Sequence, residues 1–365
     1  MNLVFFNSNQ KEFPEITSSE EQWLIDRNGQ KLFDTWLGSG TLIFGHEKAS
    51  EIKIDMLPHG VEFDDALKSL FAKLVDFEIG GIGFQTSGSS AVTRATRLAR
   101  SITNRNKIAV VGGFWHGSDG DLLFKEQKLN LSTGIPKSYQ DETHWFPCLE
   151  EFFAIKNLDR YAGVLIEPYQ GSNPNLSMLK DITNHNREKL REHGVLLLCD
   201  EVITGFRERY GSCNSSRGVN PDIVIFGKTA ALGFPIGLVL VDRNTTNQLN
   251  ELPFWGGTSS ASPTQIHYLK KSFFKLIELD YSKIEKNLLS LHKILNDCVQ
   301  NAGFVIKSGC LFSRILKADK KNDSRAFVSD DKSYKILQSK LKKLGFFIGN
   351  NALVFPSIYN PPHLE

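Results

Sequence analysis

Several short stretches of the chain carry residue types that could do chemistry together. Lys228 stands in "FGKTAALGFP" (226–235), directly behind the β-branched run "DIVIF" (222–226). A lysine there can grip a nucleotide phosphate, or it can form a covalent imine with an aldehyde. Asp200 follows the apolar run "VLLLC" (195–199) in "LCDEVITGF" (198–206). That is an expensive place for a carboxylate without a cationic partner. In an extended chain Asp200 and Val202 share one face while Glu201 points away. One face would thus offer an acidic acceptor beside a small apolar surface, suited to a protonated ring nitrogen and the ring itself. The alternative is a structural aspartate at a strand end.

Gly88-Ser89-Ser90, in "QTSGSSAVTRATRLAR" (85–100), opens a stretch with Val92, Ala95 and Ala99 at helical spacing. A small-residue turn at a helix N-terminus leaves free N–H groups and a positive dipole end, which suits a phosphate. It equally suits an ordinary serine N-cap. In "FWHGSDG" (114–120), Trp115 can stack on an aromatic ligand or belong to the core, and His116 reads as an orienting residue. Glu167 ends "GVLIE" (163–167) and puts another acid at the same sheet edge.

The two readings of Lys228 can be separated. A phosphate-binding loop of the G-x-x-x-x-G-K-[ST] type needs glycine five positions before Gly227, where Asp222 stands. The glycine-rich stretches "GSGTLIFG" (38–45) and "GGIGFQTSG" (80–88) also miss the dinucleotide pattern G-x-G-x-x-G. A lysine between a strand and "AALGFP" is placed instead for desolvation, which lowers an amine's pKa and makes it nucleophilic.

These residues need elements to hold them. Five apolar runs read as strands: "KIAVVGG" (107–113), "AGVLIEP" (162–168), "VLLLCDEV" (195–202), "DIVIFGK" (222–228) and "IGLVLVD" (236–242). Their near-continuous apolar character fits strands covered on both faces. Helical patterns lie between them at 89–103 and 177–193. The alternation predicts an α/β fold with a mostly parallel sheet and ligands at the strands' carboxyl ends. "QWLIDRNGQKLFDTW" (22–36) reads as a hairpin around Asn28-Gly29. The last third mixes amphipathic helices with short strands such as "LFSRIL" (311–316). We expect an N-terminal segment at 1–55, a large domain at 56–260 and a smaller α+β domain at 261–365, joined in space by the hairpin.

Composition narrows the function classes. With 41% hydrophobic and 23% charged residues over 365 positions, the chain fits a soluble globular protein. A formal net charge of +2 supplies no general field for nucleic acid or an anionic membrane. The five cysteines form no C-x-x-C pair, which argues for reduced thiols in a cytoplasmic protein and against a zinc site. The N-terminus is a poor signal peptide, and no apolar run reaches the roughly 20 residues of a spanning helix.

Taken in order, the blocks "SGSSAVTRATRLAR", "GGFWHGSDGD", "VLIEPYQG", "LLCDEVITGFR", "GVNPDIVIFGKTAALGFPIG" and "GGTSSASP" resemble class III pyridoxal-phosphate (PLP) aminotransferases of fold-type I. Within these the chain is most similar to the glutamate-1-semialdehyde aminomutase-like branch. The resemblance covers roughly residues 20–270, with a weaker echo in "FPSIYNPP" (355–362). It implies that Lys228 forms the internal aldimine with PLP and then shuttles a proton. Asp200 would keep the pyridine nitrogen protonated, Trp115 and Val202 would sandwich the ring, and Gly88, Ser89 and Ser90 would bind the phosphate. His116 and Glu167 would stand near the cofactor, and Thr258 of a partner subunit would complete the phosphate site in a homodimer. Trp36 and Ser39 are the candidates on the substrate side.

The chain departs from the family pattern in places. Ser90 stands where a glutamate is common, and Ser260-Ala261-Ser262-Pro263 replaces S-G-N-P. The stretch 7–22 lacks the arginine that binds the aminomutase substrate's carboxylate. The expectation is an aminotransferase carrying nitrogen from an amino donor to an aldehyde or ketone by ping-pong chemistry. A 2,1-aminomutase and a catalytically degenerate binding protein are the alternatives.

Overall fold

The computed structural model describes residues 15–46, 64–113, 115–119, 122, 134–215, 218–251, 253, 255, 257, 259–320 and 332–362. Three N-terminal strands come first: β1 (Ile16–Glu20), β2 (Trp23–Asp26) and β3 (Lys31–Asp34). Seven more follow: β4 (Ile79–Gln85), β5 (Lys107–Val111), β6 (Thr143–Phe146), β7 (Tyr161–Ile166), β8 (Leu196–Asp200), β9 (Ile223–Phe226) and β10 (Gly237–Asp242). The last four are β11 (Phe304–Gly309), β12 (Phe312–Lys317), β13 (Phe346–Phe347) and β14 (Leu353–Val354).

The large sheet runs in the order β4-β10-β9-β8-β7-β5-β6. Strands β9, β8, β7, β5 and β6 are mutually parallel, and β10 lies antiparallel to both its neighbours. The α/β, mostly parallel architecture expected from the apolar runs is therefore the one observed. Both faces are covered. Leu165, Leu196, Leu198, Ile223 and Ile225 pack under Ala91, Val92, Ala95 and Leu98 of the helix Gly88–Thr103. Val164, Ile166, Leu197 and Cys199 turn the other way, toward Phe152 and Leu190. Burial on both sides is why these strands show no polar alternation.

Two local features differ from the sequence reading. Residues 79–85 form the edge strand β4, although "GGIGFQTSG" reads as a glycine-rich loop. The glycines serve contact there: a Cβ at Gly83 would fall 2.1 Å from the Trp255 ring. The helix expected over 177–193 covers only Asn184–Glu192. Thr183 caps it, its Oγ1 accepting from the Asn186 N–H at 3.2 Å, and a short 3₁₀ turn at Leu179–Asp181 precedes it.

Outside the large sheet, β1, β2 and β3 pair in antiparallel succession, and the C-terminal strand β13 joins β3 in parallel. Asp26 Oδ1 accepts the Asn28 and Gln30 N–H groups across the β2–β3 turn, and Gly29 takes a φ of 77°. A second small sheet has the order β11-β12-β14. Phe33 shares a core with Leu291, Leu295, Ile315, Tyr334, Leu337 and Phe346. Among the described residues no helix is long and apolar enough to cross a membrane.

Leu198 lies at the centre of β8, with no exposed surface. Leu198→Ala should cost about 2–5 kcal/mol of stability, read as a lowered urea midpoint. An unchanged midpoint would contradict the packing described here.

Candidate active site

Four parallel strands deliver side chains to one edge of the sheet. Glu167 follows β7, Asp200 ends β8, Lys228 comes two residues after β9, and Trp115 and His116 follow β5. The N-terminus of the helix Gly88–Thr103 reaches the same edge. A cavity of about 210 Å³ is lined there by Gly88, Ser89, Val92, Trp115, His116, Gly117, Glu167, Asp200, Val202, Ile203 and Lys228. Ligands bind at the carboxyl ends of strands in open α/β sheets, and this cavity obeys that rule.

Asp200 is buried, and each of its two carboxylate oxygens accepts a hydrogen bond. Its Oδ2 accepts from His116 Nδ1 at 2.8 Å, and its Oδ1 accepts the Val202 N–H at 3.0 Å. The other ring nitrogen of His116, Nε2, is buried and has no partner among the described residues. The histidine thus holds the carboxylate in place. Glu201 does point away, accepting the Cys213 N–H at 2.8 Å and the Asn214 N–H at 3.3 Å.

Lys228 opens a 3₁₀ turn, Lys228–Ala231, with a left-handed φ of 43°. Burial pulls its amine below the usual lysine range. Asp200 and Glu167 oppose that shift, and Arg207 adds to it. Trp115 is 51% exposed although it lines the cavity, leaving an indole face open to an occupant. Val202 presses close to the helix start, where a Cβ at Gly88 would lie 2.7 Å from its Cγ1.

The remaining expected residues divide. Ser89 lines the cavity, its Oγ accepting the Ser118 N–H at 3.2 Å. Ser90 does not line it. Its hydroxyl donates to Ser87 O at 3.1 Å and accepts the Ser87 N–H at 3.2 Å, closing a capping box. The N-cap is thus Ser87, and Ser90 closes its capping box from the third helical position, while Gly88 and Ser89 face the cavity. Trp36 and Ser39 do not line the cavity either. Trp36 packs edge-on against Phe347 at 6.4 Å between ring centroids. Ser39 sits in a turn whose residues Leu37, Gly38, Ser39 and Gly40 all have positive φ, from 48° to 80°. Thr258 lies outside the described residues.

Sequence reasoning did not name Val92, Gly117, Ile203 or Arg207 as site residues, although the first three line the cavity. Ile203 lines the cavity because β8 stops at Asp200 and the chain turns there; a strand continued through Val202 would have sent Ile203 to the other face. Arg207 is buried behind the cavity, its guanidinium 4.7 Å from the Phe355 ring centroid. Its Nε donates to Ile203 O at 3.0 Å and its Nη2 to Gly40 O. Gly40 O also accepts from Thr229 Oγ1 at 3.0 Å. Burial pushes Arg207 down to about 10. The "GFR" of "DEVITGFR" was the available signal, but nothing local says that this arginine turns inward.

Comparison with known proteins agrees with this geometry. Residues 5–304 match the family model for class-III aminotransferases. The glutamate-1-semialdehyde 2,1-aminomutase of Methanosphaera stadtmanae is 30% identical over 289 residues, spanning 74% of this chain and 68% of that protein. The same-named protein of Hyperthermus butylicus is 28% identical, spanning 91% of this chain and 84% of its own. Among solved structures, an omega-transaminase from Sphaerobacter thermophilus superposes with a TM-score of 0.78 at 23% identity, covering 94% of this chain and 86% of that one. A glutamate-1-semialdehyde aminomutase from Pseudomonas aeruginosa PAO1 gives 0.80 at 17% identity, covering 94% and 83%. The last two establish likeness of fold. By the family match and the fold together, this chain belongs to the class-III aminotransferases.

Proposed function

We propose that the protein is a PLP-dependent aminotransferase moving an amino group from an amino donor to an aldehyde or ketone acceptor. The observation that carries this reading is a single cavity shared by Lys228, Asp200, His116 and Trp115. PLP is the cofactor of the family, and the lining fits it part by part. The helix start at Gly88 and Ser89 suits the phosphate. Asp200 suits the pyridine nitrogen, and Trp115 and Val202 offer surfaces for the two ring faces. Lys228 suits the aldehyde. His116 Nε2 and Glu167 Oε2 are buried polar atoms without partners in the same lining, as befits a wall facing a polar occupant.

When bound, PLP supplies an electron sink for negative charge at the substrate carbon. The chain's residues do the rest. Asp200, held by His116 and the Val202 N–H, presents a fixed carboxylate to the ring nitrogen. Lys228, with its lowered basicity, would hold the cofactor through its neutral amine, and its Nζ would hold and return a proton. The family resemblance further implies a homodimer as the working unit. The scattered spacing of the five cysteines is the ground for placing the protein in a reducing, cytoplasmic setting.

A 2,1-aminomutase is the second reading, favoured by the names of the curated relatives. It would return nitrogen to the neighbouring carbon of one substrate. Turnover of candidate carbonyl compounds with and without an external amino donor separates the two. The aminotransferase reading expects strict dependence on the donor; donor-independent turnover would overturn it in favour of the mutase.

Lys228→Ala should lower turnover at least about a thousandfold while leaving the circular dichroism spectrum unchanged. Full activity in that variant would refute the role given to Lys228. The lowered basicity of Lys228 also fixes a sign: neutral amine is present at lower pH than in an exposed lysine. Capture of PLP by cofactor-free protein should rise with pH and level off below the ordinary lysine range. Asp200→Asn removes an anion that raises the lysine's basicity, so it should move that rise to still lower pH. A rise in the ordinary lysine range, or one moved upward by Asp200→Asn, would contradict this electrostatic account.

A further inference from the structure

We propose that Glu167 is a proton-bearing positioning residue, coupled through space to His116, and that the pair sets the charge Asp200 presents to the cofactor ring. The inference deepens the reading of this site as a PLP site and rests on it.

The geometry is specific. Glu167 leaves β7 between Ile166 and Pro168 and is 3% exposed. Its Oε1 accepts the Gly171 N–H at 3.1 Å, while its buried Oε2 has no hydrogen-bond partner among the described residues. A Cβ at residue 113 would lie 1.7 Å from Oε2, so glycine is required there for the carboxyl group to fit. His116 has the mirror-image arrangement. Its Nδ1 is committed to Asp200, and its buried Nε2 has no partner among the described residues. One cavity wall therefore holds two buried atoms that can each carry a proton, and each belongs to a residue with only one fixed bond.

The charged groups facing Glu167 are His116, Asp200 and Lys228. Burial and Asp200 push the Glu167 carboxyl up to about 7, against the opposing pull of His116 and Lys228. Burial lowers His116, but Asp200 and Glu167 outweigh it and hold the imidazole above its ordinary range. Two interacting buried groups, each shifted upward, share their protons instead of losing them independently. With both protonated, the imidazolium balances Asp200 and the three groups are neutral overall. Loss of one proton leaves one net negative charge. The negative potential at the ring nitrogen then strengthens as pH rises through neutrality, and with it the hold on the ring proton.

The test uses the full-length protein with PLP bound, titrated from about pH 5 to 9. Infrared difference spectra should show the carbonyl band of a neutral carboxylic acid that fades as pH rises through neutrality and is missing in Glu167→Gln. The His116 ring nitrogens, followed by NMR, should titrate about half a unit or more lower in Glu167→Gln, because an anion has been removed. The cofactor's absorbance should show a step in the neutral range that Glu167→Asp retains and Glu167→Gln loses. No acid band in the wild type would overturn the proposal even if Glu167→Gln fails to fold. A His116 midpoint unmoved by Glu167→Gln would overturn it as well. These readouts follow protons on the chain, so a failed choice of donor or acceptor would leave them unaffected.

Discussion

A carboxylate at the end of a strand buried on both faces is hard to accommodate, and the rest of the site is arranged around the way Asp200 is satisfied. An ionised carboxylate taken out of water without partners would cost several kcal/mol or shed its charge. Here the strand β8 ends at Asp200, and the turn that follows brings the Val202 N–H back to one oxygen. His116, arriving from β5 two strands away, binds the other. The same turn sends Glu201 in the opposite direction, into N–H groups of Cys213 and Asn214. Two adjacent acids are thereby served by different walls. Only Asp200 is left facing a cavity.

Lys228 depends on a second constraint, one of backbone geometry. A left-handed φ is uncommon for a lysine and persists where surrounding structure over-determines it. The fixing contact is Gly40 O, which takes hydrogen bonds from both Thr229 and Arg207. Gly40 closes the turn at 37–40, where four consecutive residues have positive φ. Arg207 in turn holds Ile203 O, and Ile203 lines the cavity. The lysine's turn, the cavity wall and the N-terminal segment are therefore tied at one carbonyl. A residue far from the chemistry in sequence helps to fix its geometry.

Much of this was legible in the sequence because it depends on local pattern. Five strands were readable as apolar runs, since parallel strands covered on both faces need no alternation. Lys228, Asp200, Trp115, His116, Glu167, Val202, Gly88 and Ser89 were nameable because each stands at the end of a run or the start of a helix, and one cavity holds them. What could not be read depends on where the chain bends. Ile203 required knowing that β8 stops at Asp200. Ser90 required knowing that Ser87, not Gly88, is the N-cap. Arg207 required a partner more than 160 residues away, Gly40. β4 was hidden because its glycines, which admit Trp255 at Gly83 and Thr246 at Gly80, erase the apolar signal of a strand.

The central claim is that Lys228 is the residue that joins PLP covalently. Borohydride reduction of the purified protein with PLP bound, followed by proteolysis and mass mapping, tests it directly. The account predicts a pyridoxyl modification on the peptide carrying Lys228, absent from Lys228→Ala. A modification confined to another lysine, or none after reduction in the presence of PLP, would contradict it.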